Sequence, residues 1–559
     1  MGSARAIVVT ALAFGCAAPA PSLSHSRQSS ATFSTTFDVV IVHGRVVDGS
    51  GAPAVRADVG VVGDRVTEVG DLSRAPAVRR IDVHGDLVAP GFIDMLGQDE
   101  INVLIDNRVE SKIRQGITTE ITGEGRSAAP LNDALIAEEK QDLEPYGLHV
   151  DWRDFAGYRR HFEMEKSTIN LGTYVGAASV RRVVLGLGDV QPSAAELVEM
   201  GRLVETAMAQ GALGVSSALI YPPGSYARTG ELIALAKVAA RSGGIYATHL
   251  RNEADNEMAS VEEALTIGRE ASLPVEIFHL KAAGKDNWGK LKEVVARIGR
   301  ARAEGIDVSA DMYPYTAASN GLSSNIPGWA ADGGIDQMIA RFHDPVLRAR
   351  IKAELWTSGP AREDPADIQL ASCTNPSLRR YMGKRLSAVA QEMKQTAEDA
   401  LLDIVEADRG TTSVVRYLMS EEDVAFGLAQ PWVSLACDSP GQALDGPFAH
   451  ELTHPRAFGA APRLLGHYAR DLHLFSVEEA VRKMTSLPAR RLRLADRGLL
   501  RPGMAADITV FDPARVIDVA TYEEPLRYAK GVDWVLVNGQ VVLDGGKLTS
   551  ARPGRFLTH

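Results

Sequence analysis

Eight short apolar segments recur through the middle of this 559-residue chain, at 87–95, 116–124, 169–179, 211–219, 244–253, 274–282, 307–315 and 431–439. Stretches with helical periodicity lie between them, such as 193–210 and 229–241. From 211 to 307 the segments return about every 32 residues, the size of a βα unit. Eight such units predict an α/β fold, a (β/α)8 TIM-like barrel. An open doubly wound sheet would show the same alternation. Polar residues gathered at the ends of the segments favour the barrel. The interval 316–430 is too long for a loop and must carry helices of its own. It is a candidate substrate lid.

Both ends of the chain are β-rich. Residues 38–47 and 57–62 are β-branched runs broken by Gly and Asp. Near the C-terminus, 506–511, 532–537 and 540–543 read as strands, the last two joined by an Asn538-Gly539 hairpin turn. Two such ends can build one β-sandwich with the barrel inserted between them. The expected parts are 37–86 and 491–559 for the sandwich and 87–490 for the barrel, interrupted by the 316–430 insertion.

Ahead of these parts lies a leader. Arg5 precedes an apolar run, 6–18, too short to span a bilayer, and small residues follow it. This predicts a signal peptide over 1–24 and a Ser/Thr-rich linker over 25–36, hence a periplasmic or secreted protein. Ala13-Phe14-Gly15-Cys16 has the outline of a bacterial lipobox, although Ala13 and Phe14 depart from its preferred residues. Cys16 is a candidate lipid anchor. No later run suits a transmembrane helix. Cys373 and Cys437 are the only other cysteines, so at most one disulfide remains outside the leader. Acidic residues outnumber basic ones by 71 to 60, a balance that argues against a nucleic-acid partner. A small molecule is the expected partner.

Four of the predicted strands end in residues able to bind metal: Glu124, His249, His279 and Asp438. In a barrel these ends converge on one face. Two imidazoles and a carboxylate suit zinc and leave a fourth position for water, while a further carboxylate can move protons. Each residue also has a plain structural reading. A lone His at a strand end is often only packed, Glu124 could cap a helix, and Asp438 could be an N-cap before Ser439-Pro440.

Several motifs turn this pattern into a family resemblance. Ala89-Pro-Gly-Phe-Ile-Asp94 and Gly498-Leu-Leu-Arg-Pro-Gly-Met-Ala-Ala-Asp507 resemble the amidohydrolase superfamily. Gly211-Ala-Leu-Gly-Val-Ser216, Leu219-Ile-Tyr-Pro-Pro-Gly224, His279-Leu-Lys-Ala-Ala-Gly284, Asp311-Met-Tyr-Pro-Tyr315 and His454-Pro-Arg-Ala-Phe-Gly459 resemble N-acyl-D-amino-acid deacylases, the D-aminoacylase family. The resemblance implies zinc on His249 and His279, with Asp438 as acid–base. It also implies Lys281, Tyr313, Ser319 and Arg456 at the substrate carboxylate and Tyr221 near the scissile carbonyl. Read locally, the tyrosines could be packing residues and Arg456 a partner for a surface carboxylate.

Two departures from the family pattern stand out. Where the family has His-x-His after the first-strand Asp, this chain has Leu96-Gly97-Gln98, which offers no good zinc ligand. Where deacylases often carry a metal-binding Cys, it has Gly123-Glu124-Gly125. The expectation is one zinc ion held by Glu124, His249 and His279. Asp99 and Glu100 have no assigned role, and Arg251 and Glu253 are candidates to orient a ligand or to form a surface ion pair. The expected reaction is hydrolysis of the amide bond in an N-acyl-D-amino acid or similar small carboxylate-bearing amide. The alternatives are an amidohydrolase acting on cyclic amides or dipeptides, and a catalytically silent exported binding protein.

Overall fold

The computed structural model describes residues 35–356 and 363–558. The predicted leader, Cys16 and most of the predicted linker lie outside the described residues. Among the described residues, no helix is long and apolar enough to cross a membrane.

The eight predicted barrel strands are present. Phe92–Asp94 pairs in parallel with Ile117–Thr122, which pairs with Asn170–Thr173. The third strand then continues as Val175–Gly176 and hands the ladder to Gly214–Ala218. Ile245–His249, Val275–Ile277, Val308–Met312 and Val433–Leu435 follow in order, all parallel. Closure comes where the first strand meets the eighth: Met95 N donates to Leu435 O at 3.2 Å, and Asp438 N donates to Leu96 O at 2.7 Å. Helices return the chain between strands. The helix Ala194–Ala209 starts on a capping box, the Ser193 hydroxyl and the Glu196 carboxylate each accepting from the other's backbone N–H.

One predicted strand is corrected. The run 87–95 is two strands. Leu87–Pro90 lies in the sandwich, antiparallel to Ile508–Phe511, and only Phe92–Asp94 belongs to the barrel. The break falls at Gly91, whose N–H donates to Asp507 O at 2.8 Å. Both strands are buried and, Asp94 apart, apolar, so hydrophobicity alone does not separate them.

The sandwich joins the two chain ends. A four-stranded sheet is built from residues 37–82, and a seven-stranded sheet interleaves N-terminal and C-terminal strands. Ile41, Val59, Val61, Val88, Ile508 and Leu536 fill the space between them. The hairpin Val532–Val537 to Gln540–Asp544 turns through Asn538 and Gly539, both at positive φ, as a two-residue turn requires.

The 316–430 insertion carries a three-stranded antiparallel sheet, Ala318–Gly321, Ser413–Arg416 and Ile368–Ser372, over several helices. Its own core includes Leu322, Phe342, Ile368, Leu386, Leu401 and Val414. The sheet edge contributes Ser319, Asn320, Ser372 and Ser413 to the wall of the main cavity. Cys373 lies in that core and Cys437 in the barrel, and both are free thiols.

Candidate metal centre and active site

A cavity of about 730 Å³ opens at the C-terminal ends of the barrel strands. All nine site residues expected from sequence line it: Glu124, Tyr221, His249, His279, Lys281, Tyr313, Ser319, Asp438 and Arg456. Local backbone aims several of them. Glu124 stands between Gly123 and Gly125, both at positive φ, where a Cβ would come within 2.5 Å of Tyr174 O and of Ala218 N respectively. Only glycine lets the loop turn this tightly against its neighbours. His279 itself adopts φ +33°, and its N–H donates to Asp311 Oδ1 at 2.7 Å. Asp311, at the end of the seventh strand, therefore holds the sixth-strand histidine in place.

At the centre, His249 Nδ1 lies 2.8 Å and His279 Nε2 3.0 Å from the same Glu124 oxygen, Oε1. One ligand atom from each residue can be chosen so that all three lie within 4.8 Å of one another. Burial works against a charge on Glu124, but hydrogen bonds from both histidines hold its carboxyl well below the usual range. Burial and the Lys281 ammonium also pull His279 down, but Glu253, Asp438 and Glu124 outweigh them and push it up to about 10. An anionic carboxylate beside two imidazoles is a donor set that fits zinc.

The surrounding groups divide into three. Glu253 Oε1 stands 3.0 Å from His279 Nδ1, and Lys281 Nζ donates to Glu253 at 2.6 Å and lies 2.7 Å from His279 Nδ1. Glu253 thus orients a candidate ligand, whereas Arg251 turns away to pair with Glu263 at 2.8 Å. Lys281, expected at the substrate carboxylate, is engaged first with Glu253 and His279. On the opposite side, Arg456 Nη2 lies 2.9 Å from Asp438 Oδ2, and its guanidinium sits 4.4 Å from the Tyr313 ring centre. Arg456 Nε and Nη1 and the Tyr313 hydroxyl are buried without a hydrogen-bond partner. Burial keeps the Tyr313 and Tyr221 phenols protonated at physiological pH. The third group is Gln98, for which sequence suggested no role. Its amide nitrogen donates to Glu124 Oε2 at 2.8 Å and to Asp438 Oδ1 at 3.1 Å.

A closed parallel barrel seated in a two-ended β-sandwich, with such a cluster at its strand ends, is an amidohydrolase, a hydrolase of carbon–nitrogen bonds other than peptide bonds. Residues 443–543 match the model of a family described as Amidohydrolase family. The D-aminoacylase of Alcaligenes xylosoxydans xylosoxydans is 37% identical over 94% of this chain and 98% of its own. A solved D-aminoacylase, described as having a binuclear metal center with one-metal activation and second-metal attenuation, aligns with a TM-score of 0.78. It is 34% identical over 94% of this chain and 100% of its own. The N-acyl-D-glutamate deacylase of Bordetella bronchiseptica, solved with zinc and a phosphonate mimic of the tetrahedral intermediate, aligns with a TM-score of 0.79. It is 32% identical over the same shares. The chain belongs to the D-aminoacylase family of the amidohydrolase superfamily.

Proposed function

We propose that this protein hydrolyses the amide bond of N-acyl-D-amino acids, using one zinc ion held by Glu124, His249 and His279. The observation that carries the reading is the set of unpartnered buried donors on Arg456 and Tyr313, two residues that line the same cavity as the Glu–His–His cluster. A buried guanidinium with two free N–H positions is costly unless a ligand satisfies it, and a carboxylate is the matching shape. The substrate carboxylate is bound there, with Ser319 at the cavity edge. The D configuration follows the relatives' named substrates.

Zinc at this site would supply Lewis acidity to polarise the scissile carbonyl. The chain's own groups do the rest. Tyr221, its ring 5.4 Å from that of His249, is placed to donate to the carbonyl oxygen. Asp438 takes a proton from the attacking water as the C–O bond forms. It returns that proton to the nitrogen as the C–N bond breaks, releasing a carboxylic acid and a free amino acid. Arg456 and Gln98 hold one Asp438 oxygen each, so the carboxylate keeps its direction through both transfers. Glu253 and Lys281 fix the His279 ring.

The test is a substrate panel on zinc-loaded protein, comparing N-acetyl-D-amino acids and their L-enantiomers with cyclic imides and dipeptides. Turnover confined to the D-acyl series is expected. Turnover of cyclic imides alone would redirect the assignment. We also propose, from the leader predicted in the sequence, that the protein is exported, and N-terminal sequencing of the mature chain checks it.

A further inference from the structure

Gln98 joins two carboxylates that arrive from different strands. Glu124 comes from the loop after the second barrel strand and Asp438 from the loop after the eighth, yet both lie within 3.1 Å of one nitrogen. An amide NH2 has two hydrogens, and this geometry uses both. Each carboxylate gives Gln98 one oxygen and keeps the other for a different partner. Glu124 Oε1 faces the two histidines, and Asp438 Oδ2 faces Arg456.

The bridge stands on a fixed base. Gly97 N donates to Ile121 O at 2.7 Å, and Asp99 N donates to Glu120 Oε1 at 3.2 Å, so both neighbours of Gln98 are tied to the second strand. A Cβ on Gly97 would fall 1.6 Å from Glu120 Oε1, which shows how closely the turn is pressed down. Gln98 itself is exposed to the cleft, so ions in solution can reach this point. Two anionic oxygens converging on a solvent-accessible point repel each other unless a cation or a donor lies between them. Here the group between them is uncharged.

We propose that the Gln98 amide occupies the position of a second cation. It thereby keeps the centre to one metal while holding Glu124 and Asp438 in register. Gln98 is a positioning residue in this role. The inference rests on the one-zinc reading above and deepens it. A carboxylate in place of the amide cannot donate to Glu124 and Asp438. It adds a third anionic ligand at a point already supplied with two.

The experiment measures zinc per chain on the full protein, stripped, reloaded with excess zinc and desalted. Wild type should hold one zinc and Gln98→Glu two. Cobalt-loaded wild type should give the electron paramagnetic signal of an isolated ion, weakened by spin coupling in Gln98→Glu. Should Gln98→Glu fail to fold, Gln98→Ala carries the test: calorimetric titration should show a second zinc step at least tenfold weaker than the first. Two zinc ions in wild type would overturn the inference and leave the three-ligand site standing. A single step in both variants would overturn it as well. No zinc in wild type would overturn the one-zinc reading, and this inference with it.

Discussion

Lys112 Nζ lies 2.5 Å from Asp94 Oδ2, and both side chains are wholly shielded from solvent. Asp94 Oδ1 accepts from the backbone N–H groups of Leu96, at 3.2 Å, and Cys437, at 2.8 Å. One carboxylate thus ties the first barrel strand to the eighth, immediately beneath Asp438. Lys112 is the cation paired with this carboxylate in the barrel interior. Removing it leaves a buried charge unpaired, which costs about 3–5 kcal/mol. Lys112→Met should lower unfolding stability by that amount in urea titration. A loss under about 1 kcal/mol would show that the pair does not hold the closure.

Asp438 is separable from metal binding, because it is held by Gln98 and Arg456 rather than by the histidines. Asp438→Ala should cut turnover by about 10²–10⁴-fold, the usual contribution of a positioned general base. Zinc content should be unchanged. Loss of zinc together with activity would make Asp438 a ligand instead.

The free Arg456 donors imply a preference for a charged carboxylate. Wild type should favour an N-acetyl-D-amino acid over its carboxamide by about 30–1,000-fold in kcat/KM, equivalent to about 2–4 kcal/mol for a buried, charge-assisted contact. Arg456→Ala also frees Asp438, so the informative quantity is the acid-to-amide ratio, which should fall towards one. A ratio unchanged in the variant would place the carboxylate elsewhere.

Zinc uptake should depend on pH through His279. Burial and Lys281 lower its proton affinity, but Glu253, Asp438 and Glu124 outweigh them and bring it to about 10, so the metal-free protein carries this proton at neutral pH. Binding must displace it, so affinity rises with pH, by about tenfold per unit for one proton, and the rise stops near pH 10. Calorimetry at pH 6–8, in buffers of different ionisation enthalpy, reads the released protons directly. Proton release of zero would mean that His279 binds no metal.

Much of this molecule was legible without coordinates because its signals are local. Strand and helix periods each span only a few residues, so the eight barrel strands and helices such as Thr229–Arg241 could be read from the chain. A strand's C-terminal residue is also a sequence position, and parallel topology sends all such positions to one face. That is why Glu124, His249, His279 and Asp438 could be named together, and why the motif residues Arg456 and Tyr313 could join them.

What only the tertiary structure decided are relations between distant residues. Leu87–Pro90 and Phe92–Asp94 are alike in composition, and their different neighbours assign one to the sandwich and the other to the barrel. Glu253 and Arg251 are two residues apart, yet one meets a candidate metal ligand and the other a helix carboxylate. Gln98 and Asp438 are separated by 340 positions and share a hydrogen bond because the barrel closes between them. Hydrophobic patterning sets which residues are buried and in which element. It carries no record of which polar atoms face one another across the closed barrel, since that depends on the register at closure, and there the chemistry of this site is set.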